Sequence, residues 1–201
     1  RTLTKERDTA EISVKIFPEN ATFRDIEFKC CTDNGVEISF AKVVSFDGNT
    51  ATLKAFGDGK FRLRAYSKNG TDIPKIISEL EYTAEGLGKA EKNPYIFIAA
   101  CLCDFSNVPV ITIDRGSLGG FNGRTTVGFS SVDFGGGTKK ITISVGNSGG
   151  GEDYPVELYL GDADNGGRYI GTFAIKNNGG WDRAYPQTFD LPCRISGTHD
   201  I

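Results

Sequence analysis

Phe61-Arg62-Leu63-Arg64-Ala65-Tyr66, residues 61–66, alternates apolar and polar side chains with a period of two. This alternation is typical of a β-strand that is buried on one face only. Three further runs in the first part of the chain show a similar pattern: Ile12–Ile16, Ile26–Cys30 and, more weakly, Ile76–Tyr82. Glycine- and asparagine-containing turn signals separate the runs, and no window shows helical periodicity. Residues 1–84 are therefore predicted to form an immunoglobulin-like β-sandwich.

Glycine usage marks a boundary after this sandwich, because residues 1–84 contain 5 glycines and residues 85–201 contain 21. The polar stretch 85–95 is predicted to be a linker. Residues 96–201 are predicted to form a second all-β domain, a jelly-roll sandwich, with a long irregular segment at 101–124. Its candidate strands are Tyr95–Ala100, Thr125–Phe129, Lys140–Val145, Val156–Leu160, Tyr169–Ile175 and Thr188–Leu191.

Bulk properties exclude several classes of protein. The formal net charge is −3 and no basic block is present, which argues against nucleic-acid binding. No apolar run approaches the roughly 20 residues that a membrane-spanning helix needs. Because the chain starts at Arg1 and contains no methionine, we interpret it as an excised or processed piece.

The single tryptophan, Trp181, stands in a polar run, Asn177–Asp182, that is predicted to be a loop. Its neighbours are Asn, Gly and Asp residues, which offer no apolar surface for burying an indole. A flat aromatic face beside hydrogen-bonding groups suits a sugar ring, whose C–H face stacks on the aromatic while polar groups meet the hydroxyls. The alternative is that Trp181 folds back and caps one end of a sandwich.

No catalytic or metal-binding residues are predicted. Glycosidases need two carboxyl groups facing each other across a cleft, and no acidic pair stands in such a context. His199 is the only histidine, and Cys101 and Cys103 lack the second cysteine pair or the histidines that zinc would require. The Asp162–Gly167 segment fails the EF-hand register, so we predict a turn there.

Two segments of the first part resemble bacterial immunoglobulin-like domains of group 2. Phe17–Thr22 looks like that family's Pro-x-Asn-Ala-Thr turn, and Phe56–Gly70 is similar to its closing hairpin. Such modules usually space or display other domains.

The second part resembles a family 6 carbohydrate-binding module. The segments that match in order are Thr125–Phe129, Val132–Gly135, Val156–Gly161, Ile170–Phe173, Gly179–Trp181 and Gly197–Ile201. The resemblance implies that Phe129 and Trp181 clamp a sugar between their rings. We add Arg124, Asp182 and Tyr185 as candidate polar partners, although Arg124 and Tyr185 could equally be structural.

Two departures from the family pattern affect these expectations. The family often binds a structural calcium through a Glu near its first strand, but the corresponding stretch, Ile98–Cys101, has no carboxylate. We therefore predict no cofactor and leave calcium as an alternative. The family's last strand should begin where this chain stops, at Ile201, so that strand is predicted to be missing.

The tandem order of the two modules resembles the C-terminal region of large bacterial family 2 glycoside hydrolases of the β-galactosidase type. This resemblance implies an upstream catalytic domain, an oligosaccharide or polysaccharide ligand, and a periplasmic, extracellular or cell-surface location. The competing interpretation is that both modules are structural spacers or braces of a large secreted glycosidase and bind no sugar.

Overall fold

The computed structural model describes residues 1–113, 116–121, 123–148 and 152–201. Within these ranges the protein consists of β-strands and short 3-10 helices, which confirms the predicted all-β class. Asp114, Arg115 and Asn122, which belong to the predicted irregular segment 101–124, lie outside the described residues. No helix in the described ranges is long and apolar enough to cross a membrane.

The chain divides into two compact units. Unit 1 comprises Arg1–Glu91, Ala99–Leu102 and Thr112–Leu118, and unit 2 comprises Lys92–Ile98, Cys103–Ile111 and Gly119–Ile201. Each unit has a separate cluster of buried apolar side chains.

Unit 1 contains seven strands in two sheets. The strands are β1 (Thr2–Thr4), β2 (Thr9–Ser13), β3 (Glu27–Cys31), β4 (Ala41–Asp47), β5 (Thr50–Ala55), β6 (Gly59–Ser67) and β7 (Ile76–Glu85). One sheet has the order β1-β7-β6-β3, with β1 parallel to β7, and the other has the order β2-β5-β4. The predicted alternation on residues 61–66 is confirmed on β6. There Phe61 and Leu63 are buried, whereas Arg62 and Arg64 form outward ion pairs with Glu79.

Strands β4 and β5 have no counterpart among the sequence predictions. The inward positions of β5 are Ala51, Leu53 and Ala55, all at 1% exposure or less. Two of these three side chains are methyl groups, so the alternation carries a weak hydrophobic signal although the face is fully buried.

Unit 2 is built from antiparallel strand pairs. Strand β8 (Phe105–Ser106) pairs with β11 (Val127–Gly128), and β12 (Val132–Asp133) pairs with β17 (Thr198–His199). Strand β13 (Thr138–Asn147) pairs with β16 (Gly180–Ile195), and β14 (Tyr154–Leu160) pairs with β15 (Arg168–Ile175). The remaining strands, β9 (Ile111–Thr112) and β10 (Leu118–Gly119), neighbour each other in a two-stranded sheet. The 3-10 helices of the described residues span Ala100–Leu102 and Ala163–Asn165. The buried cluster of unit 2 includes Val132, Phe173 and Ile195.

The predicted strand at Tyr95–Ala100 is wrong. Asn93 forms a turn in which its Oδ1 accepts a hydrogen bond from the Tyr95 N–H at 2.9 Å, and a 3-10 helix begins at Ala100. Phe97 is 80% exposed. The apolar run therefore follows a turn and has no partner strand, and a short apolar run alone does not specify a strand.

The predicted linker is ordered on both sides of Glu91. Leu87 packs against the core of unit 1, and its N–H donates to Asp58 Oδ1 at 2.8 Å. In unit 2 the Lys92 N–H donates to the Ser131 carbonyl at 2.8 Å.

Candidate functional site

Trp181 lies at the start of a strand and not in a loop, which corrects the sequence prediction. Strand β16 begins one residue earlier, where Gly180 pairs with Asn147 of β13. The polar sequence around Trp181 suggests a loop because local sequence does not reveal the partner strand. β13 supplies that partner from more than thirty residues away.

Trp181 is 71% exposed as a residue. Trp181 also takes part in none of the aromatic ring pairs found in the described ranges. A tryptophan that capped a sandwich end would have most of its ring covered by apolar neighbours. The observed exposure is therefore that of a displayed side chain.

Phe129 follows β11 and is held from several sides. Its ring packs against the buried cluster of unit 2 and is half-buried. Its backbone exchanges hydrogen bonds with Ile201, with N···O distances of 2.7 and 2.9 Å. The preceding Gly128 lies under the ring of Phe105 so closely that a methyl group at Gly128 would overlap it.

An ion pair fixes the residue after Phe129. Lys92 Nζ lies 2.7 Å from Asp104 Oδ2, and the same carboxylate oxygen accepts from the Ser130 N–H at 2.6 Å. Lys92 Nζ also donates to the Ser130 carbonyl at 3.2 Å. The Lys92 side chain is only 13% exposed. Because partly buried charges must be paired and hydrogen-bonded, this arrangement leaves the backbone at Ser130 little freedom.

The polar candidates occupy two places. Arg124 is exposed and precedes β11, and its carbonyl accepts from Asn107 Nδ2 at 2.9 Å. Asp182 is exposed next to Trp181, and Tyr185, which is 39% exposed, pairs with Val145 in the β13–β16 ladder. The structure thus places Trp181, Asp182 and Tyr185 on one strand and Arg124 and Phe129 on either side of β11. Direct ring stacking between Trp181 and Phe129 does not occur, and a sugar held between the two rings would keep them apart in any case.

Sequence reasoning missed a charged pair beside β16, where Gln187 Oε1 accepts from the Lys176 N–H at 2.8 Å. Lys176 Nζ donates to Asp153 Oδ2, and this hydrogen bond lowers the pKa of Asp153 below that of an ordinary aspartate. The same bond to Asp153 raises the pKa of Lys176. Neither residue stands out in the sequence, because the pairing of β14 with β15 is what brings them together.

Two carboxyl groups, those of Glu27 and Asp153, have pKa values clearly below the ordinary range. The general acid of a glycosidase needs a shift in the opposite direction. Hydrogen bonds from Lys68 and Tyr66 lower the pKa of Glu27, and Lys176 lowers that of Asp153. A general acid at neutral pH instead needs a carboxyl pKa raised by an apolar environment. In the ranges that the structure describes, no three His, Cys, Asp or Glu side chains cluster as metal ligands would.

No protein-family model matches the sequence, and no curated protein matches it. Among solved structures, a family 6 carbohydrate-binding module of Clostridium stercorarium in complex with cellobiose is similar to the chain. It shares 19% identity over 55% of this chain and 84% of its own, with a TM-score of 0.48. A second family 6 carbohydrate-binding module, whose binding sub-sites were dissected by crystallography and calorimetry, shares 21% identity over 55% of this chain and 83% of its own, with a TM-score of 0.47. At this identity the likeness describes the fold alone.

Proposed function

We propose that unit 2 is a non-catalytic carbohydrate-binding module that holds a glycan against the indole of Trp181. The observation that carries this proposal is the 71% exposure of Trp181 at the start of a strand. A rigid, flat aromatic surface binds the C–H face of a pyranose ring without first losing much conformational entropy. Binding then removes apolar surface of both partners from water.

Groups around the indole supply the polar half of such a site. Asp182 is the next residue, and Tyr185 lies on the same strand. Farther along that strand, Gln187 Oε1 accepts from the backbone N–H of Lys176, whose ammonium pairs with Asp153. We assign Phe129 as the second aromatic wall and Arg124 as a further hydrogen-bond donor. The sequence resemblance to family 6 modules supports the assignment of Phe129.

The wider proposal concerns the parent protein. We infer that the chain is the C-terminal portion of a bacterial, exported family 2 glycoside hydrolase of the β-galactosidase type. Unit 1 would then be an immunoglobulin-like spacer between the catalytic domain and the binding module. A single small site gives modest affinity, since a millimolar dissociation constant corresponds to only about −4 kcal/mol. Tethering compensates by raising the local concentration of glycan near the catalytic domain.

The direct test of glycan binding is the Trp181→Ala substitution in the full chain. We expect native affinity electrophoresis through gels containing β-glucan, xylan or galactan to show retention of the wild type and none of the variant. The melting temperature should be nearly unchanged, because exposed side chains contribute little to stability, about 0.5 kcal/mol or less.

Phe97→Ala provides the matched control, since Phe97 is another exposed aromatic of unit 2, at 80%. This variant should be retained like the wild type. Retention of Trp181→Ala at the wild-type level would refute the assignment. A wild type that no glycan gel retains, together with tight association of the chain to an upstream catalytic domain, would favour the spacer interpretation.

The coding sequence upstream of Arg1 tests the proposed parent protein separately. A barrel domain with two glutamates at strand ends would support the family 2 glycoside hydrolase.

A further inference from the structure

The strand that carries Trp181 is irregular at that residue. In the β13–β16 ladder, Val145 pairs with Tyr185 and Asn147 pairs with Gly180. Between these two pairs β13 advances by two residues and β16 by five. The segment Trp181–Ala184 is therefore a bulge opposite Gly146. Bulges turn side chains out of the regular ladder, and they occur often beside functional sites.

A bulge leaves backbone groups without their ladder partners, and buried backbone groups need partners. The side chain of Asn178 supplies them. Its Oδ1 accepts from the Asn147 N–H at 2.8 Å, while its Nδ2 donates to the carbonyls of Val145, at 3.3 Å, and Arg183. The amide of Asn178 thus connects Val145 and Asn147, the β13 residues on either side of the bulge, to Arg183 within it. The backbone N–H of Asn178 adds a bond to the Asn147 carbonyl at 3.0 Å.

Two residues of β13, Gly146 and Asn147, also constrain the bulge. Gly146 lies so close to the bulge that an added methyl group would stand 2.9 Å from the carbonyl carbon of Trp181 and 3.1 Å from the oxygen of Gly180. These atoms are backbone and cannot rotate away, so the position requires glycine. Asn147 is 3% exposed, and its Nδ2 donates to the Ile175 carbonyl at 3.3 Å, which ties the bulge to the end of β15.

We propose that Asn178 is a positioning residue, whose amide holds the Trp181–Ala184 bulge and thereby fixes the indole in its displayed orientation. This inference deepens the proposed function and rests on it for the link to glycan binding. A preorganised indole loses less freedom when a sugar stacks on it, and preorganisation of this kind increases affinity. Loss of the amide would leave the bulge, and the indole with it, free to move.

Trp181 is the only tryptophan, so its fluorescence reports on the bulge directly. We expect Asn178→Ala in the full chain to lower the residual anisotropy of Trp181 in a time-resolved measurement, because the indole gains nanosecond motion. The dissociation constant for soluble mixed-linkage β-glucan should rise about five- to tenfold. Asn178→Asp should not restore the wild type, since a carboxylate keeps the acceptor but loses both N–H donors.

Asn177→Ala is the matched control. Its Oδ1 accepts the Gly179 N–H within its own turn, so the anisotropy should stay at the wild-type value. Gly146→Ala perturbs the bulge from the opposite strand and should lower the anisotropy without altering Asn178. If Asn178→Ala does not fold, Asn178→Asp decides the question, because it removes only the N–H donors and should also lower the anisotropy.

The outcomes separate this inference from the proposed function. Wild-type anisotropy in Asn178→Ala, or in Asn178→Asp if Asn178→Ala does not fold, would overturn the positioning role, whatever binds. Lowered anisotropy with unchanged β-glucan affinity would overturn the link to binding. If the wild type binds none of β-glucan, xylan and galactan, the proposed function loses its support, and the anisotropy alone still confirms or overturns the role of Asn178.

Discussion

Trp181 and Phe129 are both aromatic candidates for a sugar site, yet unit 2 holds them in different ways. The indole of Trp181 stands in a bulge and is mostly exposed. The ring of Phe129 packs partly on the apolar core, and its backbone is tied to Ile201. We therefore expect that Trp181 can be removed at little cost to stability, whereas removal of Phe129 lowers the stability of unit 2.

We predict that Phe129→Ala lowers the free energy of unfolding by about 1–3 kcal/mol, less than for a fully buried phenylalanine. It should also weaken glycan retention, whereas Trp181→Ala affects retention only. Chemical denaturation and affinity electrophoresis of the two variants measure these effects. Phe129→Tyr, which keeps the ring, serves as the control and should preserve stability. Equal losses of stability in Phe129→Ala and Trp181→Ala would contradict this division of roles.

At the scale of elements, the inward face of β3 makes the stability of unit 1 depend on pH. Glu27 lies outward and receives hydrogen bonds from Lys68 and Tyr66, which lower its pKa. Cys30 lies inward at 5% exposure, and burial raises the pKa of its thiol to about 12. The thiol therefore stays protonated in the folded state at pH values where an unfolded chain, with a pKa of about 8.5, would ionise it.

We predict that unit 1 loses stability as the pH rises above about 8.5 and toward 12, because only the unfolded state then releases the proton of Cys30. Below that window the thiol is neutral in both states, so this contribution is fully present. Urea unfolding at several pH values, followed by far-UV circular dichroism, measures the slope. In Cys30→Ala the slope between pH 9 and 11 should be shallower than in the wild type. An unchanged slope would show that Cys30 does not cause it.

At the scale of the whole molecule, the two cores are assembled from unequal stretches of chain. Unit 1 takes in Ala99–Leu102 and Thr112–Leu118 in addition to its first 91 residues. Leu102 packs against the same buried cluster as Leu53 and Phe61. A division of the chain after Glu91 would therefore remove part of the first core.

We predict that Leu102→Ala lowers the stability of unit 1 by about 1–3 kcal/mol, because a leucine packed against the core is truncated. Hydrogen exchange followed by mass spectrometry should show faster exchange in β6 and β7 and unchanged exchange in β13 and β16. Leu158→Ala is the reciprocal control, since Leu158 packs against the cluster of unit 2. It should accelerate exchange in unit 2 only. Faster exchange in both units from Leu102→Ala would contradict the assignment of Leu102 to the first core.

The sequence by itself determined the all-β class, because the alternation on residues 61–66 depends only on which side chains avoid water. It also indicated that Trp181 is displayed, since its Asn, Gly and Asp neighbours offer no apolar cover. Strand β5 was not predicted, because alanines form much of its buried face and give only a weak hydrophobic alternation. Only the tertiary structure decided that Trp181 lies in a bulge that Asn178 holds. That bulge depends on the register between β13 and β16, and a register between distant strands cannot be read from either strand alone.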